Sequence, residues 1–292
     1  MAIVLALLSA LAYGTADYVG GVVAAKASPW QVSVVVMGTA AVLAVPVALI
    51  AGGDPSTHDW LLAVSGGAVT GMGSGFLYRG LMRGRMSVVA PLSGVMAALV
   101  PAVIGIATGD RPSALAVFGI VCAVPAIALV AGAGGGAGSD AHAAGTALDG
   151  SDPTESARAS ILDGLLAGTG FGLLFAATGS LSEEAGLAVL PLLELSGMIG
   201  VAALAAALHE DWIPRDPAAR AGWMSGALGL AAIIFVTLAG HEGMTSVVSV
   251  IAALYPAFTV LLAAVLLSER VGRLQGAGLG LAAAAVALVV LG

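Results

Sequence analysis

Apolar runs of about twenty residues recur along the whole chain, and they constrain its fold more than any other feature. A bilayer hydrocarbon core about 30 Å thick is crossed by roughly 20 apolar residues of helix. Lipid offers backbone groups no partners, and the runs lack the period-two alternation of barrel strands, so they should be helices. We therefore predict an all-α integral membrane protein with about ten transmembrane helices, at about 2–22, 30–51, 60–82, 86–108, 112–132, 161–181, 187–208, 221–240, 244–267 and 271–291.

Composition excludes several classes of function. Hydrophobic residues make up 59% of the chain and charged residues only 9%, whereas a soluble domain has about 25% charged residues. The net charge of −7 provides no basic patch for nucleic acid. Cys122 is the single cysteine, and the four histidines have no metal-ligand spacing. We expect no nucleic-acid partner, no metal, no cofactor and no catalytic residue.

One segment near the middle of the chain differs from the rest. Residues 132–160 are small, polar and of low complexity, which is typical of a flexible linker outside the membrane. The chain is therefore predicted to contain a first five-helix repeat, a linker and a second five-helix repeat, at 1–132, 133–160 and 161–292.

The two halves resemble each other in sequence. A shift of 159 residues (243 minus 84) places 84–132 on 243–291 without a gap; the tripeptide SVV then meets SVV, and Arg111 meets Arg270. Because five spans per half is an odd number, the second half enters the membrane from the opposite side. We predict two inverted repeats, with a cavity where they meet.

Several motifs resemble those of a known family. They are Y-G-T-A-D-Y at 13–18, L-Y-R-G-L at 77–81, and the turns G-D-R-P-S at 109–113 and S-E-R-V at 268–271. With these motifs the two halves resemble the paired EamA modules of the drug/metabolite transporter (DMT) superfamily. The resemblance covers nearly the whole chain except the linker. It implies a transporter fold but leaves the substrate open, since the superfamily handles amino acids, sugars, drugs and other metabolites.

Two carboxylates lie inside apolar runs. A charge at helix depth costs about 2.5–3.5 kcal/mol on insertion scales, so such a residue usually faces a partner or a cavity. Asp17 and Arg79 lie past the midpoints of parallel spans in the same direction, so Asp17 could form an ion pair with Arg79 or contact substrate in a cavity. Glu194 is nearer one end of its span, where we expect a rim position in preference to a buried coupling site.

Aromatic residues at corresponding points of the two halves are further candidates. For these aromatic residues we expect interfacial anchoring or core packing as often as cavity lining. For Tyr13, Phe171 and Tyr255 we favour cavity lining. The predicted substrate-cavity residues are Tyr13, Asp17, Tyr78, Arg79, Phe171, Phe175, Phe235 and Tyr255.

Glycines recur every four residues in three of the spans. Small residues at this spacing let helices approach closely in lipid, so we expect helix packing, with sliding surfaces between transport states as the alternative. The three stripes are Gly67, Gly71 and Gly75; Gly164, Gly168 and Gly172; and Gly272, Gly276 and Gly280.

These features together predict a secondary transporter, acting as an exporter, that moves a small metabolite or drug-like molecule by alternating access. No Walker motif is present, so ATP drive within the chain is not expected. The alternatives are an intramembrane enzyme or lipid-handling protein and a membrane scaffold. We expect a multi-pass protein of a bacterial-type plasma membrane, with the lipid bilayer and a small-molecule substrate as partners and a homodimer left open.

Two arguments about orientation disagree. The family resemblance implies that both termini are cytoplasmic. The positive-inside rule implies the reverse, with both termini outside. The side opposite the linker has only Arg111. The loops after odd-numbered spans, on the linker side, hold Lys26, Arg79, Arg83, Arg85, Arg158, Arg215, Arg220, Arg270 and Arg273.

Overall fold

The structure is a computed structural model that describes residues 1–83, 86–108, 113–133, 153–242, 255–267 and 272–291. Several sequence predictions fall outside these residues. They are the two acidic-arginine turns at 110–111 and 269–270, most of the predicted linker at 134–152, and the first part of the predicted ninth span.

The described residues fold into α-helices and two short 3-10 helices, with no strand among them, so the all-α class is confirmed. The α-helices are α1 (Ala2–Ala24), α2 (Pro29–Ala51), α3 (Thr57–Met82), α4 (Met86–Thr108), α5 (Ala114–Ala133), α6 (Pro153–Thr178), α7 (Leu190–Ala207), α8 (Trp223–Glu242), α9 (Tyr255–Leu266) and α10 (Arg273–Leu291). The 3-10 helices are Glu183–Ala185 and Pro217–Gly222.

Six helical segments within the described residues are long and apolar enough to cross a membrane. They comprise α1, α2, α3 and α7, the part of α6 from Arg158 to Thr178, and the segment Pro217–Ala239, which includes most of α8. Shorter apolar helical stretches lie at Val88–Val100, Tyr255–Leu266 and Gly276–Ala285. The chain is therefore a multi-pass membrane protein.

The last residues of the predicted linker, 153–160, are helical, because α6 begins at Pro153. The sequence here contains Ala, Glu and Arg, which are good helix formers, and a proline is well suited to the first helical position. The prediction of a linker up to residue 160 is therefore wrong at its C-terminal end.

Two of the three glycine stripes bring helices together. A Cβ added at Gly71 of α3 would lie 2.8 Å from the Cα of Gly197 in α7, and one at Gly168 of α6 would lie 2.7 Å from the Cα of Ser93 in α4. Both distances are too short for an unchanged backbone, so the prediction of packing is confirmed for these stripes. For the third stripe, no described atom lies within 4 Å of a Cβ added at Gly276 or Gly280, so the described residues show no packing of this kind at these two positions.

Hydrogen bonds join the loops at each of the two ends of the helices. Near the α1–α2 loop, the Ser28 hydroxyl donates to the Asp211 carbonyl (2.9 Å) and the Gln31 amide donates to the Asp211 carboxylate (2.9 Å). We call this end face A, defined by residues 25–28 and 208–222. The opposite end is face B, defined by residues 52–56 and 179–189.

Face B is closed by contacts between these two loops. Asp59 forms a capping box with Ser56 at the start of α3. Its carboxylate also accepts hydrogen bonds from the Ser182 backbone N–H (2.8 Å) and the Ser182 hydroxyl (2.9 Å). The Asp54 N–H donates to the Glu184 carbonyl at 2.7 Å. The α2–α3 loop is therefore tied to the α6–α7 loop.

Candidate functional site

A cavity of about 100 Å³ lies among seven helices, α1, α2, α3, α6, α7, α8 and α9. Its volume has room for several water molecules or a small solute. Much of the wall is aliphatic, from residues such as Met37, Leu77 and Ile233. The polar and aromatic residues of the wall are Tyr13, Asp17, Thr70, Ser74, Tyr78, Phe171, Phe175, Glu194, Ser225 and Tyr255.

The structure brings six of the eight sequence-predicted residues to this wall, namely Tyr13, Asp17, Tyr78, Phe171, Phe175 and Tyr255. Phe235 and Arg79 are not on the wall, which corrects their predicted position. Ile233 and Phe235 are two residues apart on α8, so their side chains point about 200° apart around the helix. Since Ile233 faces the cavity, Phe235 faces away from it.

Arg79 is turned toward another partner, Asp163 on α6. Its Nε and Nη2 atoms donate to Asp163 Oδ1 at 3.1 and 2.6 Å. Arg83 donates through Nη1 to Asp163 Oδ2. The guanidinium carbon of Arg79 also lies 4.9 Å from the ring centroid of Phe76 and 5.6 Å from that of Trp30. We call Arg79, Arg83 and Asp163 the arginine clamp.

Of the two alternatives for Asp17, the ion pair with Arg79 is therefore wrong. Asp163 is fully buried, and its carboxylate reaches the Arg79 guanidinium because α3 and α6 pack closely. A Cβ added at Gly80, next to Arg79, would lie 3.0 Å from the Cβ of Asp163. Sequence reasoning missed Asp163, although it too is a carboxylate within a predicted span.

Asp17 has no described partner for one of its carboxylate oxygens. The residue is 8% exposed and lines the cavity, and Oδ2 accepts no hydrogen bond from the described residues. The Thr70 hydroxyl, also on the wall, has no described partner either. These polar groups of the wall are thus left available to a ligand, since a buried polar group without a partner is costly.

Glu194 is also on the wall, at the other end of the cavity. It is only 8% exposed, so the predicted rim position is wrong. The α6–α7 loop lies at this end of the cavity, where the Glu184 carbonyl accepts a hydrogen bond from the Asp54 N–H of the α2–α3 loop. Leu187 of the same loop and Leu190 at the start of α7 belong to a buried cluster with Leu230 of α8.

The two carboxylates lie at different depths. Asp17 is seven residues before the end of α1 at face A (24 minus 17), or roughly 10 Å along the helix. Glu194 is four residues after the start of α7 at face B (194 minus 190), or roughly 6 Å. Tyr13 of α1 lies between the two carboxylates in depth.

Tyrosine rings surround the Asp17 end of the cavity. Tyr13 and Tyr255 have ring centroids 5.9 Å apart with planes inclined at 55°. The Tyr78 hydroxyl is 2.8 Å from the Ser225 hydroxyl, and Ser225 in turn donates to the Ala16 carbonyl at 2.8 Å. This chain of bonds links α3, α8 and α1 beside Asp17.

Membrane-crossing helices around an internal cavity at helix depth are the architecture of a membrane transport protein. The family model of the EamA-like transporter family matches residues 1–132 and 158–291. The chain belongs to the EamA-like transporter family, as the sequence motifs predict, and this is consistent with the DMT superfamily. Members of this family are transporters rather than enzymes.

The chain is also similar in fold to solved structures, seven chains of which match it. One of them, described only as a crystal structure of a protein, has a TM-score of 0.58 and 14% sequence identity. The match covers 99% of this chain and 96% of the other. At this identity the similarity extends to the fold alone. No curated protein matches the chain.

Proposed function

We propose that the protein is a secondary transporter that exports a small metabolite or drug-like molecule by alternating access. The cavity carries this proposal, because residues from both halves of the chain line it at helix depth. The first half contributes Asp17 and Tyr78, and the second contributes Phe171, Glu194 and Tyr255. A solute held there would contact residues of both halves at once.

The pattern of helix contacts supports ten spans in two inverted repeats. If the helices of each half are numbered one to five, helix one of each half packs on helix three of the other, as α1 on α8 and α6 on α3. Two further contacts between the halves have counterparts of the same kind. α1 packs on α9 as α6 packs on α4, and α2 packs on α8 as α7 packs on α3. This exchange is what a pseudo-twofold axis between repeats would produce.

The contacts at the two faces suggest how access would alternate. Between the cavity and face A, the hydrogen bond between Tyr78 and Ser225 joins α3 to α8. At face B, the bonds from Ser182 to Asp59 join the α6–α7 loop to α3. We propose that each set opens while the other holds. Opening either set breaks only one or two of these hydrogen bonds. A hydrogen bond contributes about 0.5–1.5 kcal/mol, or more when one partner is charged.

We propose as substrate contacts the six predicted residues on the wall, together with Thr70 and Glu194. Arg79 has a different role in this proposal, which is to hold α3 against α6 through Asp163. Phe235 is left out because it is not on the wall. The site is complete within one chain, so a second copy is not needed to form it. The surrounding medium would be a bacterial-type plasma membrane.

Flux through reconstituted vesicles tests the proposal. The purified chain would be placed in liposomes loaded with labelled amino acids, sugars and amines, and solute release into unlabelled solution would be followed by mass spectrometry. We expect at least one solute to leave chemically unchanged, faster than from protein-free liposomes. Conversion of the solute into a product would identify an enzyme instead, and the absence of flux for every class would contradict transport.

A further inference from the structure

We propose that the cavity binds an organic cation, with the Asp17 carboxylate holding its positive charge and the tyrosine rings packing against its apolar body. This inference rests on the proposed transport function and narrows its substrate class. It follows from the charge, the unpartnered oxygen and the aromatic rings of the wall.

The described part of the cavity wall carries two carboxylates and no basic side chain. Asp17 and Glu194 both line the cavity, and no lysine, arginine or histidine is among the wall residues that the structure describes. The nearest basic side chains of α3 are Arg79 and Arg83, and Asp163 holds both. An anionic solute would meet carboxylates without a compensating cation, whereas a cation would neutralise one of them.

Asp17 is the better anchor of the two carboxylates. Its Oδ2 atom is buried and has no described hydrogen-bond partner. A carboxylate at helix depth is stabilised by an ion pair, and a ligand cation can supply one. The Thr70 hydroxyl offers a further polar contact on the same wall.

The aromatic rings favour an organic cation over a metal ion. Tyr13 and Tyr255 form a tilted pair, and Tyr78 and Phe171 also line the cavity. Ring faces attract ammonium groups, and they attract them most strongly away from water. A hard metal ion prefers six or more oxygen ligands, and the described residues contain no cluster of three potential metal ligands.

Three probes of nearly equal shape but different charge test the proposal. They are choline, its neutral carbon analogue 3,3-dimethylbutan-1-ol, and the anion 3,3-dimethylbutanoate, with tetraethylammonium as a larger cation. Each would be titrated by calorimetry into the full chain in lipid nanodiscs, in potassium phosphate buffer, with empty nanodiscs as the blank. We expect at least one cation to bind about 10- to 100-fold more tightly than the neutral analogue, as expected for one charged hydrogen bond.

Isosteric variants assign the charge to a residue. Asp17→Asn should weaken cation binding by about 10- to 100-fold and leave the neutral analogue unchanged. The matched control is Asp54→Asn, which removes the same charge from an exposed loop position and should change neither. Glu194→Gln is a second cavity variant, in case Asp17→Asn does not fold. It should also weaken cation binding, since it removes the other negative charge of the wall.

Several results would overturn the inference. Equal or tighter binding of the neutral or anionic probe would do so, as would binding of neither cation. So would cation binding that is unchanged by Asp17→Asn in folded protein or, if that variant does not fold, unchanged by Glu194→Gln, and so would an Asp17-dependent response to sodium chloride alone. Because binding needs no transport cycle, solute flux without cation binding would refute the cation proposal alone, and cation binding without any flux would refute transport alone.

Discussion

Removing the carboxylate of the arginine clamp should destabilise the protein by about 2 kcal/mol. Asp163 is buried and accepts hydrogen bonds from both Arg79 and Arg83. Breaking a buried ion pair costs about 3–5 kcal/mol, because the remaining charge is left without a partner. The side chains of Arg79 and Arg83 are 22% and 29% exposed, so both can turn toward water at face A. The cost should therefore fall below that range.

The assay is equilibrium unfolding in mixed micelles of a mild detergent and dodecyl sulfate, followed by tryptophan fluorescence. Asp163→Asn keeps the shape of the side chain and removes its charge, and Asp54→Asn on the exposed loop is the matched control. A double-mutant cycle of Asp163→Asn with Arg79→Gln should give a coupling energy of about 1–2 kcal/mol. The same cycle of Asp17→Asn with Arg79→Gln should give a value near zero.

The reasoning is refuted if Asp163→Asn unfolds at the same denaturant concentration as wild type. A coupling energy between Asp17 and Arg79 larger than that between Asp163 and Arg79 would also refute it, because it would restore the pairing that sequence depth alone suggests. Either result would mean that the clamp does not hold α3 against α6.

Three further perturbations test the packing and the closures at the two faces. Gly71→Ala should destabilise the protein by about 1–3 kcal/mol in the same unfolding assay, because its Cβ would meet the backbone of α7, whereas Gly280→Ala in α10 should be neutral or stabilising. Tyr78→Phe should lower the free energy of unfolding by about 0.5–1.5 kcal/mol through loss of its hydroxyl bond; an unchanged value would show that this bond does not form. Asp59→Ala should speed hydrogen exchange at the backbone N–H of Ser182, which it would leave without its acceptor, and unchanged protection there would rule out this tie.

The architecture could largely be predicted from the sequence, because lipid permits few backbone solutions. Runs of about twenty apolar residues specify helices wherever they occur, and α2 and α4 begin and end within two residues of the predicted bounds. The glycine stripes of α3 and α6 could be predicted for a related reason, since close helix approach requires small residues. The stripe of α10 has the same spacing but meets no described neighbour, because spacing does not specify which face of a helix is covered.

The candidate site was harder to predict because depth along a helix does not specify direction around it. Asp17 and Asp163 both lie toward face A, and depth alone could not show which of them pairs with Arg79. Phe235 is a predicted cavity residue because aromatic residues lie at corresponding points of the two halves, yet it is not on the cavity wall. The rim position predicted for Glu194 is wrong because the other helices of the cavity wall enclose it, which periodicity within α7 cannot reveal.

The central claim is that the cavity opens alternately to the two faces, and thiol accessibility tests it most directly. With Cys122→Ser as background, Ser74→Cys places one thiol on the cavity wall, and Ser33→Cys places a control thiol at a buried position away from the wall. A membrane-impermeant thiol reagent would be applied from either side of oriented vesicles, and labelling would be measured by mass spectrometry. The account predicts that Ser74→Cys is labelled from both sides and Ser33→Cys from neither. Labelling of Ser74→Cys from one side only, or from neither, would contradict it.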